Sequence, residues 1–583
     1  MAAGLTAALL AACGGGGGGS GGDAPSVQTP NAVAVVEKPV SRDEAARFLT
    51  QATFGPVDAD IDRVLAVGYA AWIDEQLALP MASHRATFEA ADAVLKASGS
   101  SAGADQVLDT FWQQAVSGPD QLRQRVAYAL QQIFVISLAD GNVAENPRAV
   151  AAWMDMLATD GLGNYRNLLE QVSRHPMMGL YLTHLKNQKA DARTGRVPDE
   201  NYAREVMQLF SIGLVELNDD GTAKAGAGGA SIDTYGPADI AGLAKVFTGW
   251  SWSCPDWPDN SCFYWGNVNG VSDPDAGFKP MLGYPQYHST EAKAFLGSTI
   301  AAQGQANPDA SLKSALDTLA AHPNVGPFIG RQLIQRLVTS NPSPAYVRAV
   351  AQAFNNNGAG VRGDMKAVVK AVLMNPEARQ VGSRAGKVRE PVLRLSAFLR
   401  AFGHTSDSGR WRVGNTDSTS NALGQSPMRS PSVFNFYRPG YVAPGTAAAG
   451  AGLVSPEMQI AHETSAAGYV NYMRDAVQFG VGASNGTLNG VVLNRRDLQG
   501  HYSAELALAD QPVALVDRVA GKLMHGTAPA ALKTEVSDAI TQIAIPVLNN
   551  TGSNQSSIDS AKRNRVNAAV LLLLASPEFQ VQK

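Results

Sequence analysis

The chain holds only three cysteines in 583 residues, and charged side chains make up just 17% of it. No Lys or Arg precedes Lys38, and basic residues nowhere run together as a nucleic-acid surface requires. With a formal charge of −4, the composition excludes nucleic acid as a partner. No apolar run of eighteen or more follows residue 13, so no later segment matches a transmembrane helix, which takes about 20 apolar residues. Catalytic signatures are also missing. GSRAGKV (382–388) has three residues between its glycines and Val388 where a P-loop needs Ser or Thr. HETSA (462–466) lacks the second His of a zinc protease. GWSWS (249–253) ends in Ser, not the Gly of a nucleophile elbow, and no C-x-x-C-H is present to attach haem. The residues therefore point to no cofactor and no metal, and leave open whether the protein is an enzyme.

What is present begins at the N-terminus, MAAGLTAALLAACGGGGGGSGGDAP. Residues 2–12 are small and apolar, as in the core of a signal peptide, and Leu10-Ala11-Ala12-Cys13 matches a lipobox whose Cys is acylated. Residues 1–13 thus read as a lipoprotein signal peptide and 14–40 as a Gly-rich tether holding the body clear of the membrane. The charged opening of such a leader is missing. Either the start codon is assigned downstream of the true one, or residues 1–22 are a low-complexity tail. On the first account Cys13 is lipidated, and the protein is exported and anchored to a membrane through that lipid alone, facing the periplasm or the cell surface. Cys254 and Cys262 remain, and in an exported chain such a pair is most simply a disulfide. A zinc site needs four ligands, and no His lies within twenty residues of the pair.

From residue 41 to 583 most segments have helical periodicity, and an all-α, multi-helix body with long ordered loops is predicted. SRDEAARFLTQAT (41–53) carries a capping-box signature. QLRQRVAYALQQIFVIS (121–137) places Leu122, Val126, Ala129, Ile133 and Ile136 on one face, with Arg and Gln on the other. PDENYAREVMQLFSIGL (198–214) opens on Pro and two acids and stalls near Gly213. Residues 331–379 and 518–580 follow one pattern of three helices and an Asn/Ser-Pro-Glu stop, which predicts a duplicated helical unit. The long loops are 218–236, 249–290, 403–430 and 439–455.

Several segments together resemble a bacterial family catalogued as domain of unknown function 1800. They are ARFLTQATFGP (46–56), QLRQRVAYALQQIFVIS, HPMMGLYLTHLKNQKADARTGRVPDENYAREVMQLFSIGL (175–214), ADIAGLAKVFTGW (238–250) and RSPSVFNFYRPGY (429–441). HSTEAKAFLG (288–297) is similar to a further motif, with Ser289 and Glu291 replacing its Asp and Gly. The resemblance covers roughly residues 41–583 and implies an exported, largely helical protein whose activity is not established. It also implies a neighbour: relatives are often encoded beside members of family 1501, which resemble the phosphatase and sulfatase superfamily.

Candidate sites follow. Asn187 and Lys189 end one helix, and Asp199, Glu200, Asn201, Arg204 and Glu205 open the next. Glu200–Arg204 and Asn201–Glu205 are i,i+4 neighbours, which gathers acid, amide and guanidinium on one polar side. That suits a cation or polyol site, or a docking surface; a buried ion-pair network clamping loop to helix is the plainer alternative and the favoured one. Glu200 and Glu205 are about 140° apart around a helix, which weakens a shared metal. His288, with Lys293, reads as an exposed loop residue that could serve as a general base or a ligand, but a poor dyad with Ser289 in place of the Asp of the similar motif. His175 reads as a helix cap and His184 as a helix-face residue. Trp250, Trp252, Trp257 and Trp265, with Phe263 and Tyr264, form either a sugar-stacking platform or, as favoured, a disulfide-stapled small core. Two functions remain. The leading one is an envelope lipoprotein that scaffolds or escorts a family-1501-like partner. The other is a hydrolase or binding protein for an extracellular polymer or carbohydrate.

Overall fold

A computed structural model describes residues 37–268, 270–379, 385–488 and 490–583. Residues 1–36, and with them the expected signal peptide, Cys13 and nearly all of the expected tether, lie outside the described residues. The first helix, Arg42–Ala52, starts where predicted because the Ser41 side chain accepts from the Glu44 N–H (3.2 Å). The Glu44 carboxylate reaches the Val40 N–H (2.7 Å) instead of closing a box on Ser41. Ala45, Ala46, Phe48, Leu49 and Ala52 then fall on one buried face, and Phe48 meets Trp72 edge-on at 5.5 Å.

Helix Gln121–Gln131 is the hub of the N-terminal half. It packs against Tyr69–Ala78, Ala104–Ser117, Pro147–Asp160 and Val325–Leu337, so ten of its eleven residues are buried. The polar face expected for it is therefore not a solvent face: Gln121, Gln124 and Arg125 are buried too. The helix also ends six residues before 137. Beyond it the chain is irregular and bonds to another segment, with Leu138 N–H donating to the Met428 carbonyl (2.7 Å) and Ser137 Oγ to that of Ser430 (2.7 Å).

The body is 51% helical, with 25 α-helices and five small sheets among the described residues, so it is mostly helical but not all-α. The largest departure is the antiparallel hairpin Val481–Leu488/Val491–Gln499, extended by Thr405–Ser406. Asp497 locks this sheet to the loop that follows Thr405. Its buried carboxylate accepts from Ser406 Oγ (2.8 Å), Ser408 N (2.9 Å), Arg412 N (3.0 Å) and Asn485 Nδ2 (2.9 Å). In the C-terminal half, Val325–Leu337, Pro344–Asn355 and Met365–Met374 pack on one another, as do Pro512–Met524, Ala530–Thr541 and Gln555–Ala575. A short strand, Lys387–Val388, pairs with Val581–Gln582 near the C-terminus.

Candidate functional site

The segment 175–208 is built by capping. His175 Nδ1 accepts from Met177 N–H (3.2 Å) at the start of helix Pro176–Tyr181. The chain then turns, so His184 lies beyond the helix, not on its face. It is buried, stacked on Tyr202 at 3.9 Å, and bonded to the Ser173 carbonyl (2.9 Å). Burial lowers its pKa to about 4. Asn187 ties three segments together. Its Oδ1 accepts from Asp199 N–H (2.9 Å), its Nδ2 donates to the Asp199 and Phe247 carbonyls (3.3 Å each), and its own carbonyl accepts from Gly249 N–H (2.7 Å). Asp199 lies one residue before the cap, Glu200, of the next helix, Asn201–Gln208: one oxygen accepts from Asn201 N–H (2.7 Å) and the other from Thr183 Oγ1 (2.8 Å). Asn201 reaches back to the Leu182 carbonyl (3.4 Å). Lys189 joins the group only through its backbone, which donates to the Tyr287 carbonyl (2.9 Å).

The buried clamp expected for the acid–guanidinium set does not form. Glu200 and Arg204 do pair, at 3.5 Å, but with both side chains nearly half exposed (47% and 46%). Glu205 points the other way and is buried, its Oε2 without a partner among the described residues. Burial raises its pKa, opposed by Arg204. The helical twist separates the two acids, so one ends in solvent and one inside.

His288 is likewise not exposed. It is fully buried, with Nδ1 on the Thr248 carbonyl (2.8 Å) and Nε2 on Ser311 Oγ (3.0 Å), and burial lowers its pKa to about 4. Gly249 permits this fit: at φ +79° its Cα lies so close that a Cβ would stand 2.8 Å from the His288 backbone nitrogen. Lys293 is also fully buried and makes no ion pair among the described residues. It donates to the Glu291 carbonyl (3.3 Å) and Gln303 Oε1 (3.4 Å), and burial lowers its pKa, helped by nearby Lys245.

The aromatic loop divides its tryptophans. Strand Trp250–Ser251 pairs with Leu282–Gly283, which sends Trp250 into the main core with its Nε1 on the Val246 carbonyl (3.1 Å). The disulfide Cys254–Cys262 is present, and a separate small core forms from these two residues with Phe263 and Tyr284. Tyr287 closes it, stacked on Phe263 at 3.9 Å. The staple is as expected, but tyrosines fill it where tryptophans were foreseen. Trp265 is left 73% exposed. Together with Trp252 it lines a cleft of about 310 Å³ floored by Phe278 and edged by Glu145, Asn146, Arg148 and Asp273. Arg148 is held there by Glu89 and Asp275 (2.6 Å each) and lies 4.8 Å over the Phe278 ring. The Lys186 ammonium is 5.8 Å over the Trp252 ring. Flat aromatic faces beside fixed polar groups can stack a sugar ring and bond its hydroxyls.

A second polar assembly was not foreseen. Glu390, fully buried, accepts at one oxygen from Gln132 and Gln425 (2.6 Å each), Tyr128 (3.0 Å) and Tyr437 (3.1 Å). Lys387 pairs with Glu457 at 2.9 Å and donates to the Arg336 carbonyl (2.9 Å), on which Arg125 also converges (2.7 Å). Burial, reinforced by the Glu390 charge, pushes the Tyr128 and Tyr437 phenols far above their usual range. Among the described residues, no three His, Cys, Asp or Glu side chains are grouped to hold a metal ion.

These features define a mostly helical protein with a disulfide-stapled aromatic cleft and a buried ionic centre. A family model described as "Protein of unknown function (DUF1800)" matches residues 47–581, nearly the whole chain, and the chain belongs to that family. No curated protein and no solved structure matches it.

Proposed function

We propose that this is an exported envelope lipoprotein that binds a carbohydrate polymer in the Trp252–Trp265 cleft. The observation that carries the reading is Trp265, a large apolar face left in solvent beside fixed polar groups. The Cys254–Cys262 bridge supports export, because such bonds persist in oxidising compartments. Anchoring would run through acylated Cys13. Labelled palmitate should appear on the wild-type chain, and Cys13→Ser should move it to the soluble fraction. For binding, affinity electrophoresis through gels containing neutral and acidic polysaccharides should retard the wild type in at least one. Trp265→Ala should remove that retardation with no change in melting temperature. Equal retardation of the variant, or none of the wild type in any polymer, would reject the cleft.

A second reading, escort of a phosphatase- or sulfatase-like partner of family 1501, is favoured by the surface of the 187–214 segment. Residues 192–197 project into solvent, with Val197 75% exposed beside the Glu200–Arg204 pair. Val197→Asp should then abolish co-purification of such a partner from detergent-solubilised envelope. The two three-helix units of the C-terminal half, each closed by a Pro-started short turn, are read as copies of one unit.

A further inference from the structure

A groove of about 520 Å³ lies elsewhere, sharing no lining residue with the aromatic cleft. One wall is helix Val325–Leu337, which presents Phe328, Arg331, Gln332, Gln335 and Arg336 at i, i+3, i+4, i+7 and i+8, a single helical face. The second wall is the turn after helix Asn201–Gln208, where Gly213 (φ +71°) lets the backbone come so near that a Cβ would stand 2.8 Å from the Phe328 ring. This contact leaves Leu214 at the mouth, 56% exposed. The third wall is the loop 433–440, where Arg438 lies 4.4 Å over Phe434.

The charge of this groove is one-sided. Its lining has three arginines and no Asp or Glu. Arg336 is buried and faces Glu390 and Glu457 behind the groove, so its charge is answered from inside. Arg331 and Arg438 are exposed residues that make no ion pair among the described residues, and burial of the Arg331 guanidinium against the groove lowers its pKa. Gln332 and Gln335, both more than nine-tenths buried, each keep one amide atom without a partner there, Nε2 and Oε1 respectively. A buried amide hydrogen without an acceptor is costly, and a guanidinium pairs best with a planar carboxylate. Apolar walls of this volume match a small molecule rather than a polar polymer.

We infer that the groove binds a single-chain amphipathic carboxylate of the fatty-acid class, its apolar chain against Phe328, Leu214 and Val433 and its head group between Arg331 and Arg438. The inference is independent of the polymer reading. It is tested by calorimetric titration of the full chain with dodecanoate below its micellar concentration, with dodecanol as the uncharged match. The wild type should bind dodecanoate at one site, and dodecanol at least tenfold more weakly. Arg331→Ala combined with Arg438→Ala should weaken dodecanoate at least tenfold in a variant that circular dichroism shows to be folded. Leu214→Glu, which places a like charge at the mouth, should weaken it as strongly. Absence of dodecanoate binding to the folded wild type overturns the inference. So does dodecanol binding as tightly, or undiminished binding to either variant.

Discussion

Two polar assemblies in this molecule are built on opposite plans. The residues 187–205 are contiguous in sequence, and their charged members do not converge: Glu200 and Arg204 meet in solvent, Glu205 turns inward alone, and Asp199 bonds to the start of the helix. The Glu390 centre is gathered from positions 125, 128, 132, 336, 387, 425, 437 and 457 and is shut away from water. The difference follows from geometry. A short helix can bring charges together only on its own face, half of which stays wet. Segments distant in the chain can enclose a charge from all sides. Density of charged residues in sequence is therefore a guide to a surface, and the strongest electrostatics lie where no local motif points.

The contrast can be broken at four places. Lys387→Met strands the Glu457 carboxylate, and loss of one partner of a buried pair should cost about 3–5 kcal/mol in chemical unfolding. A cost under about 1 kcal/mol would show that water reaches this centre. Cys254→Ser should cost about 2–3 kcal/mol, from the entropy a short closed loop removes from the unfolded chain. Peptide mapping without reductant should find Cys254 and Cys262 joined, and free thiols would remove the staple from the account.

The third test lies under the surface assembly. His184 has its pKa lowered by burial to about 4, against an ordinary 6.5. Between those values the unfolded chain takes up a proton that the folded chain refuses. Stability is therefore full above pH 6.5 and falls as pH drops toward 4, by up to about 1.4 kcal/mol per pH unit for one proton. In His184→Gln the slope of stability against pH over that window should shrink by up to one proton, and an unchanged slope would mean the ring is solvated. The smallest effect belongs to Arg204→Ala. An exposed i,i+4 pair contributes about 0.3–0.5 kcal/mol, so thermal melts should barely move. A loss of several kcal/mol would restore the buried clamp.

Helix starts were legible because their causes are local: Ser41, His175 and Asp199 act on backbone groups two or three residues away. Helix ends were less so. Residues 133–137 have helical periodicity, yet they leave the helix to bond with residues 428–430, a partner that no local window contains. The hairpin leaves only half a signal: Asn-Gly at 489–490 suits a tight turn, but 481–488 (VGASNGTL) is poor in β-forming residues. For the site, the cysteine pairing followed once Cys13 was set aside as the lipidation site, which leaves two of the three to pair. Burial did not. His288 reads as a loop residue in sequence, and only its bonds to Thr248 and Ser311 place it inside.

The strand Lys387–Val388, paired with Val581–Gln582, has a consequence for how the body can be rewired. Glu37, the first described residue, contacts Arg379 through its side chain and Tyr69 N–H through its backbone. Arg379 and Lys387 are eight positions apart, a span of at most about 29 Å when fully extended. Glu37 and the Val581–Gln582 strand are therefore anchored within a few tens of ångströms of each other, about the reach of those eight residues. A circular permutant that joins them by a short flexible linker, and opens at the exposed turn around Gly358, should keep the same interior. A reporter fused after Lys583 would lie beside the Lys387–Val388 strand, outside the paired backbone of Val581–Gln582.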